Sequence, residues 1–210
     1  MLDLAQLLPF LAAALALNLT PGADMTYVIA RSATQGRAAG IAASLGISAG
    51  SFVHSVLAAL GVSALLQHSE TAFLVVKYAG AAYLIYLAWK AVRVGSSGVA
   101  GTRALARIGL WRVFGEGALT NLLNPKVALF ILAFLPQFVD PARGNAAVQI
   151  LLLGAIFNVG GTTVNAVVAC SASLAARALG SSAGFSRWLS RVSALVFVGL
   201  ALRLALTERR

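Results

Sequence analysis

Six apolar segments, each long enough to cross a lipid bilayer as an α-helix, cover most of the chain. A membrane-spanning helix needs about 20 predominantly apolar residues. The segments are 2–30, 39–66, 71–92, 113–138, 146–176 and 189–206. Only 10% of the residues are charged, whereas a soluble domain carries roughly 25%. The pattern predicts a single polytopic membrane domain, 1–210, of the all-α class with six transmembrane helices.

The fourth segment is interrupted near its middle by polar residues that a continuous helix tolerates poorly. The interruption contains Asn121, Asn124, Pro125 and Lys126. Proline has no backbone N–H and its ring clashes with the preceding turn, so it breaks or kinks a helix interior. Asparagine is a good N-cap, and proline suits the first helical position. The sequence therefore predicts that this helix stops and begins again at Asn124 and Pro125.

Lys126 places a full positive charge in the middle of a segment that should cross the membrane. A lysine at the bilayer centre costs about 2.5–3.5 kcal/mol on insertion scales. A helix that begins there also directs unpaired N–H groups and the positive end of its dipole toward the break. We therefore expect Lys126 to face an anion, a partner carboxylate or a substrate.

The first segment carries a similar interruption, and its polar residues are Asn18, Thr20, Pro21, Gly22 and Asp24. By the same reasoning, Thr20 is predicted to cap the resumed helix and Pro21 to take its first position. Asp24 would then lie about one turn inside that helix. Because burial disfavours the charged form of a carboxyl group, Asp24 is the first candidate for a proton-coupling group.

Other polar residues also lie at membrane depth. His54, near the middle of the second segment, is the other proton-coupling candidate, and a structural hydrogen bond to a neighbouring helix is its alternative role. Small residues four apart in the same part of the chain, Gly46 and Gly50 among them, predict close helix packing. The fifth segment contains residues that can bond across helices or line a cavity: Asn158, Gly160, Gly161, Thr162, Thr163 and Asn165.

The distribution of lysine and arginine predicts the orientation. The first loop, with Arg31 and Arg37, is basic, and so are the third and fifth loops. The second loop has neither residue, and the fourth has Arg143 alone. By the positive-inside rule the odd loops face the cytoplasm and both termini face outside. Arg209 and Arg210, at the end of the chain, disagree with this assignment.

The six segments divide into two triplets that each begin with a broken span. The third span of each triplet has a basic residue in its first turns, Lys77 and Arg191. An odd number of spans inverts the second copy relative to the first, so the pattern predicts inverted repeats. Paired interrupted spans in corresponding halves indicate a transport site near the midplane. The predicted parts are repeat one at about 1–93, a cytoplasmic linker at about 94–112 and repeat two at about 113–210.

Several other classes of protein fit the residues less well. The net charge of +10 does not indicate a nucleic-acid partner, because the basic residues lie mostly between the apolar segments. A metal site needs clustered ligands, but Asp24, His54, Glu116 and Cys170 are scattered along the chain. One cysteine cannot support a thiol-redox carrier. The sequence shows no clustered acidic residues and no Ser/His/Asp set at one depth, so we do not expect an enzyme. We also expect neither a bound metal nor a cofactor.

The two breaks and their surroundings resemble the LysE/RhtB family of amino-acid exporters. The similarity covers the motifs 18–25, 36–40, 46–50, His54, 77–84 and 121–126, although the family usually has a second proline where this chain has Ala23. The resemblance implies a multi-pass protein of the bacterial inner membrane. It also implies secondary transport that exports amino acids or close derivatives by proton antiport. Export of a divalent metal cation or another small solute is the alternative, and a homodimer is one option for the oligomeric state.

These considerations define a candidate substrate site between the two breaks. We expect the restarted helix ends and Lys126 to hold the substrate carboxylate. The ammonium group would bind to Asp24 or to carbonyl groups near Asn18 and Asn121. In the structural alternative, the prolines only kink the helices and Lys126 pairs with Asp24. The predicted substrate-binding residues are Asn18, Thr20, Pro21, Gly22, Asp24, Asn121, Asn124, Pro125 and Lys126.

Overall fold

The computed structural model describes residues 4–68 and 106–178 continuously, together with scattered helical positions between 74 and 89 and between 191 and 202. Within these parts of the chain the regular structure is helical. The helices are α1 (Leu4–Leu19), α2 (Ala23–Gln35), α3 (Arg37–His68), α4 (Leu110–Leu122), α5 (Pro125–Leu129) and α6 (Ala146–Ala178). Helix α5 continues through a π-helical turn, Phe130–Phe134, and a 3-10 turn, Leu135–Phe138. The whole segment Pro125–Phe138 is called the α5 extension. Lys77 and the Gly/Ser-rich part of the predicted linker lie outside the described residues.

The described helices contain between two and four candidate membrane spans. Parts of α3 (Arg37–Gly61) and α6 (Ala146–Ser171) are each long and apolar enough to cross a bilayer. Two further spans are bent pairs of helices, with an angle of 49° between α1 and α2 and of 52° between α4 and the α5 extension. The predicted interruptions of the first and fourth spans are therefore confirmed. Most of the third and sixth predicted spans falls on residues that the structure does not describe.

The second break forms by the local chemistry that the sequence predicts. Helix α4 ends at Leu122, and α5 begins at Pro125 in the first helical position. The Asn124 side chain is the N-cap, because its Oδ1 accepts a hydrogen bond from the backbone N–H of Lys126 at 3.0 Å. A capping bond of this kind stabilises a helix start by about 1 kcal/mol.

The first break differs from its prediction in three residues, Thr20, Pro21 and Asp24. The Thr20 hydroxyl donates to the carbonyl oxygen of Ala16 at 2.6 Å, within the last turn of α1, so Thr20 does not cap α2. Pro21 lies in the connection, because Gly22 is the N-cap and α2 begins at Ala23. Asp24 is consequently the second residue of α2 rather than one turn inside it. Since Gly22 has no side chain, no side-chain cap satisfies the first N–H groups of α2.

The two broken spans run antiparallel to each other. At one end of the molecule, Gln35 in the last turn of α2 donates to the carbonyl oxygen of Ile108, just before α4, at 2.8 Å. At the other end, the Phe10 ring of α1 packs edge-on against Phe138 at the end of the α5 extension, with 5.4 Å between ring centroids. Buried aromatic side chains continue this second contact through Phe134 and Phe130.

Helix α3 packs against α4 at glycine positions, as the sequence predicts. A Cβ at Gly46 would overlap the carbonyl oxygen of Phe114, and a Cβ at Gly50 would lie 2.7 Å from the carbonyl oxygen of Ala118. From the other side, a Cβ at Gly117 would lie 2.7 Å from the carbonyl oxygen of Ala43. The two backbones are in contact here because none of the three glycines has a side chain.

This packing leads to a stability prediction for the glycine at position 46. We expect Gly46→Ala to destabilise the protein by about 1–3 kcal/mol, because the added methyl forces two backbones apart. The matched control is Gly115→Ala on α4, where a Cβ meets nothing within 4 Å. The measurement is the apparent melting temperature of each variant in detergent. Equal melting temperatures for the two variants would show that the α3–α4 contact is not as close as described.

Candidate functional site between the two helix breaks

Asp24 and Asn121 join the two breaks, although they are 97 positions apart in the sequence. Asn121 lies just before the second break, and its Nδ2 donates to Asp24 Oδ2 at 2.8 Å. Both side chains are buried, with Asp24 8% and Asn121 1% exposed. The carboxylate oxygen Asp24 Oδ1 and the amide oxygen Asn121 Oδ1 have no hydrogen-bond partner among the described residues. Two hydrogen-bond acceptors without a partner among the described residues are therefore buried side by side where the two breaks meet.

Lys126 forms a second contact between the two breaks, because its side chain bonds backbone carbonyl groups at the first break. Its Nζ donates to the carbonyl oxygens of Leu17 at 3.2 Å and Thr20 at 3.0 Å, both at the C-terminal end of α1. The last carbonyl groups of a helix lack intrahelical partners, and the dipole makes that end negative, so a cation is favourable there. Gly22 gives the ammonium room, since a Cβ at that position would lie 3.2 Å from Nζ.

A small cavity lies beside the Asp24–Asn121 pair. Its volume is about 30 Å³, which is room for about one or two water molecules. Of the predicted site residues it contacts Asn18, Asp24 and Asn121. The remaining wall consists of Ile47 and Ser51 from α3, Val127 from α5, and Phe157, Asn158, Gly161, Thr162 and Asn165 from α6.

Helix α6 supplies the polar side of this cavity, as expected for several of its residues. Asn158 is held by α3, because Ser48 Oγ donates to its Oδ1 at 2.9 Å and its Nδ2 donates to the Ser48 carbonyl oxygen at 3.0 Å. Asn18 approaches the same helix and donates from Nδ2 to the carbonyl oxygen of Phe157 at 3.3 Å. Gly161 permits this approach, since a Cβ there would lie 2.9 Å from Asn18 Oδ1.

His54 lies behind the cavity rather than in its wall. The ring is buried, and Nε2 lies 3.2 Å from the backbone carbonyl oxygen of Asn121. A carbonyl oxygen only accepts, so Nε2 carries the hydrogen in this contact. The two proton-coupling candidates, His54 and Asp24, are thus connected through the backbone and side chain of the same asparagine.

Sequence reasoning missed an ion-pair network at the end of α2. Arg31 was assigned to a loop, but it lies within α2, is 5% exposed and donates to Glu116 of α4 at 2.6 Å. The same guanidinium donates to the Tyr27 hydroxyl, to Gln35 Oε1 and to the carbonyl oxygen of Ala106. The signal available in the sequence was the spacing of four residues between Tyr27, Arg31 and Gln35, which places them on one helix face.

The two arginines that contact Glu116 offer a matched test of this network. Arg112 also pairs with Glu116, at 3.2 Å, but its side chain is 73% exposed whereas that of Arg31 is 6% exposed. We expect Arg31→Gln to destabilise the protein by about 1.5–3 kcal/mol, because the half-buried side chains of Tyr27, Gln35 and Glu116 lose a charged partner. Arg112→Gln should cost less than about 1 kcal/mol. Chemical or thermal unfolding in detergent measures both, and similar losses would contradict the difference in burial.

The predicted site residues thus fall into three groups. Asn18, Asp24 and Asn121 meet at the cavity. Thr20 and Lys126 meet at the end of α1, outside the cavity wall. The last group shapes the chain at the breaks without lining the cavity: Pro21, Gly22, Asn124 and Pro125.

Broken membrane helices that meet at a buried polar site are the arrangement found in secondary transporters. Residues 15–208 match the family described as LysE type translocator, and the chain belongs to that family. It is therefore a membrane transport protein and not an enzyme, and the resemblance noted from the motifs is confirmed.

Similar proteins match most of the chain. It is 28% identical to a leucine efflux protein of Salmonella typhimurium over 93% of this chain and 92% of the relative. It is 34% identical to a homoserine/homoserine lactone efflux protein of the same species over 66% of each chain. An uncharacterised membrane protein of Vibrio cholerae is 30% identical over 97% of this chain and 98% of the relative. No solved structure matches the chain.

Proposed function

We propose that this protein exports amino acids or close derivatives across the bacterial inner membrane by proton antiport. The observation that carries the proposal is the buried Asp24–Asn121 pair with its unpaired acceptors at the meeting point of two broken spans. Its family and the amino-acid efflux proteins among its relatives support the substrate class.

The proposed architecture is six spans in two inverted three-helix repeats, with the first and fourth spans broken at proline. The antiparallel arrangement of the two broken spans supports it, because corresponding spans of inverted repeats run in opposite directions. Contacts of the α2 end with residues 106–108 bring two basic regions to one side of the molecule. The positive-inside rule assigns that side to the cytoplasm. Whether the protein forms a homodimer stays a prediction.

In the proposed complex, Asp24 holds the substrate ammonium group through Oδ1. Its Oδ2 is already held by Asn121, so the carboxylate is oriented before the substrate arrives. The carboxylate of the substrate lies toward Asn18 and the uncapped N-terminal end of α2, where the helix dipole is positive. Lys126 adds positive charge behind Gly22 while it holds the end of α1.

The structure corresponds to a closed state in this proposal. A cavity of about 30 Å³ does not admit an amino acid, so the halves must separate before one binds. The Arg31–Glu116 pair joins α2 to α4 across the cytoplasmic side, and its opening would admit the solute from the cell interior. Asp24 would exchange the ammonium group for a proton on the outer side, with His54 and Asn121 behind it.

Counterflow in proteoliposomes tests the proposed function. Vesicles that contain the purified protein are loaded with one unlabelled amino acid, and the uptake of the same labelled amino acid is measured. We expect saturable exchange for at least one amino acid and stimulation of net export when protons can flow in the opposite direction. Exchange of none of the twenty common amino acids, homoserine or norvaline would refute the proposal.

No observation favours the alternative of divalent-cation export. Within the described ranges, no three His, Cys, Asp or Glu residues lie close enough to hold a metal ion together. The acidic residues Asp24 and Glu116 lie in different environments, one beside Asn121 and the other between two arginines.

A further inference from the structure

The C-terminal end of α1 holds the Lys126 ammonium group between the carbonyl oxygens of Leu17 and Thr20, which we call the α1 cradle. We propose that the α1 cradle is a monovalent-cation site, which the chain fills with its own lysine instead of a dissolved ion. Secondary transporters hold their coupling ions with unwound backbone carbonyls and the C-terminal ends of interrupted helices. The site goes beyond the proposed function, because its ligand is a cation rather than the exported solute.

Pro21 keeps one acceptor of the α1 cradle available. In a helix that continued past Leu19, the N–H of residue 21 would bond the carbonyl oxygen of Leu17. Proline has no N–H and cannot make this bond. The Leu17 carbonyl oxygen accepts instead from Lys126 Nζ at 3.2 Å, and from the Thr20 N–H at 3.2 Å. Because the helix dipole also makes this end of α1 negative, the first break attracts a cation.

Thr20 and Gly22 complete the α1 cradle. Thr20 follows the last residue of α1, and its carbonyl oxygen accepts from Lys126 Nζ at 3.0 Å. The backbone of Gly22 is extended, with φ −163° and ψ −169°, so the path of the chain does not require glycine there. A Cβ at this position would lie 3.2 Å from Nζ and 3.5 Å from Cε of Lys126. Glycine therefore provides the room that the cation occupies.

Lys126 is poorly placed for the helix that carries it. It is the second residue of α5, and a cation is unfavourable near the positive N-terminal end of a helix. Its backbone N–H donates to the Asn124 cap, so the side chain extends from a fixed point. From there it reaches carbonyl groups 109 and 106 positions earlier in the chain. The α1 cradle accounts for this position, because the tethered ammonium group supplies the cation and joins the two breaks.

Ion replacement in the parent protein is the first test. Counterflow is measured at one pH in media whose metal or organic cation is sodium, potassium or the large N-methylglucamine ion. We expect equal rates in the three media, because Lys126 already fills the α1 cradle. A parent protein that exchanges amino acids only with sodium or potassium would overturn the proposal without the use of any variant.

Returning a cation to a shortened side chain is the second test. Lys126→Ala keeps the α1 cradle and empties the space beside it, so ethylammonium or potassium ions can enter. We expect these ions, relative to N-methylglucamine, to raise the apparent melting temperature of this variant in detergent by about 2–4 °C. Lys126→Met is the matched control, because its uncharged side chain occupies the same space and should prevent the increase. A melting temperature of Lys126→Ala that neither ion raises, or an equal increase in Lys126→Met, would refute the cation site.

Counterflow of the same variant shows whether the held cation matters for transport. We expect ethylammonium to raise the rate of Lys126→Ala by at least about fivefold, since it returns a charged donor to the two carbonyl groups. A higher melting temperature with an unchanged rate would confirm the binding site and refute its role in transport.

The melting temperature also separates this proposal from the proposed function, because it requires no substrate. Exchange of no amino acid by the parent protein would refute export, and the increase in Lys126→Ala would still report the cation site. Arg143→Ala controls for general effects of salt, since it removes an exposed cation beyond the α5 extension. Its melting temperature should not differ among the media, and an increase as large as that of Lys126→Ala would contradict a specific site.

Discussion

Replacing Asp24 with asparagine is expected to reduce amino-acid counterflow by about 10- to 150-fold. The change keeps the size of the side chain and an oxygen that can accept from Asn121, but it removes the negative charge. A hydrogen bond to a charged group contributes about 1.5–3 kcal/mol, and each 1.4 kcal/mol corresponds to a factor of ten. The same variant should lose the stimulation of export by an inward proton gradient.

The measurement is the initial rate of counterflow at equal protein density in the vesicles. Asp140→Asn is the matched control, since Asp140 pairs with Arg143 beyond the end of the α5 extension and away from the cavity. We expect the control to transport like the parent protein. If Asp24→Asn also did so, Asp24 would hold neither the ammonium group nor the proton.

The second large effect is expected for Lys126→Met. The substitution leaves the carbonyl oxygens of Leu17 and Thr20 without their cationic donor, and it removes the Lys126 contact described above between the two breaks. We expect destabilisation of about 2 kcal/mol, given the strength of polar bonds within membranes. Transport should fall by at least about tenfold, because the end of α1 that carries Asn18 is no longer held.

Two measurements separate these consequences of the lysine substitution. The apparent melting temperature in detergent reports the lost bonds, and counterflow at a temperature well below melting reports the site. Arg112→Gln, an exposed cation at the start of α4, is the control for loss of positive charge alone. A Lys126→Met protein with parental melting temperature and parental counterflow would show that Lys126 neither holds α1 nor assists the substrate.

The two helix breaks could be predicted because their causes are local. The second one needs only an asparagine that caps and a proline that cannot continue a helix, and both act within a few residues. The first break was predicted in the correct place, but the Thr20 hydroxyl had two kinds of local partner: it could accept from the first N–H groups of α2 or donate to a carbonyl oxygen of α1. It bonds backward to Ala16, so Gly22 rather than Thr20 precedes the helix.

The partners of the charged residues could not be predicted in the same way. Lys126 was expected at a carboxylate or a substrate, whereas in the structure its Nζ bonds the carbonyl groups of a helix more than 100 positions earlier. Arg31 was counted as a loop residue because hydropathy alone marks a basic residue as the end of a span. Its burial depends on Glu116, which is 85 positions away.

The sequence by itself determined that this is a membrane protein of apolar helices with two interrupted spans. Segment length, proline and capping residues act on neighbouring residues, so their effects can be predicted without the tertiary structure. The tertiary structure alone decided that Asp24 meets Asn121, that the Ser51 hydroxyl group is buried with no partner among the described residues, and which residues of α6 line the cavity. These features depend on which helix faces lie together, and packing sets those faces through contacts between residues far apart in sequence.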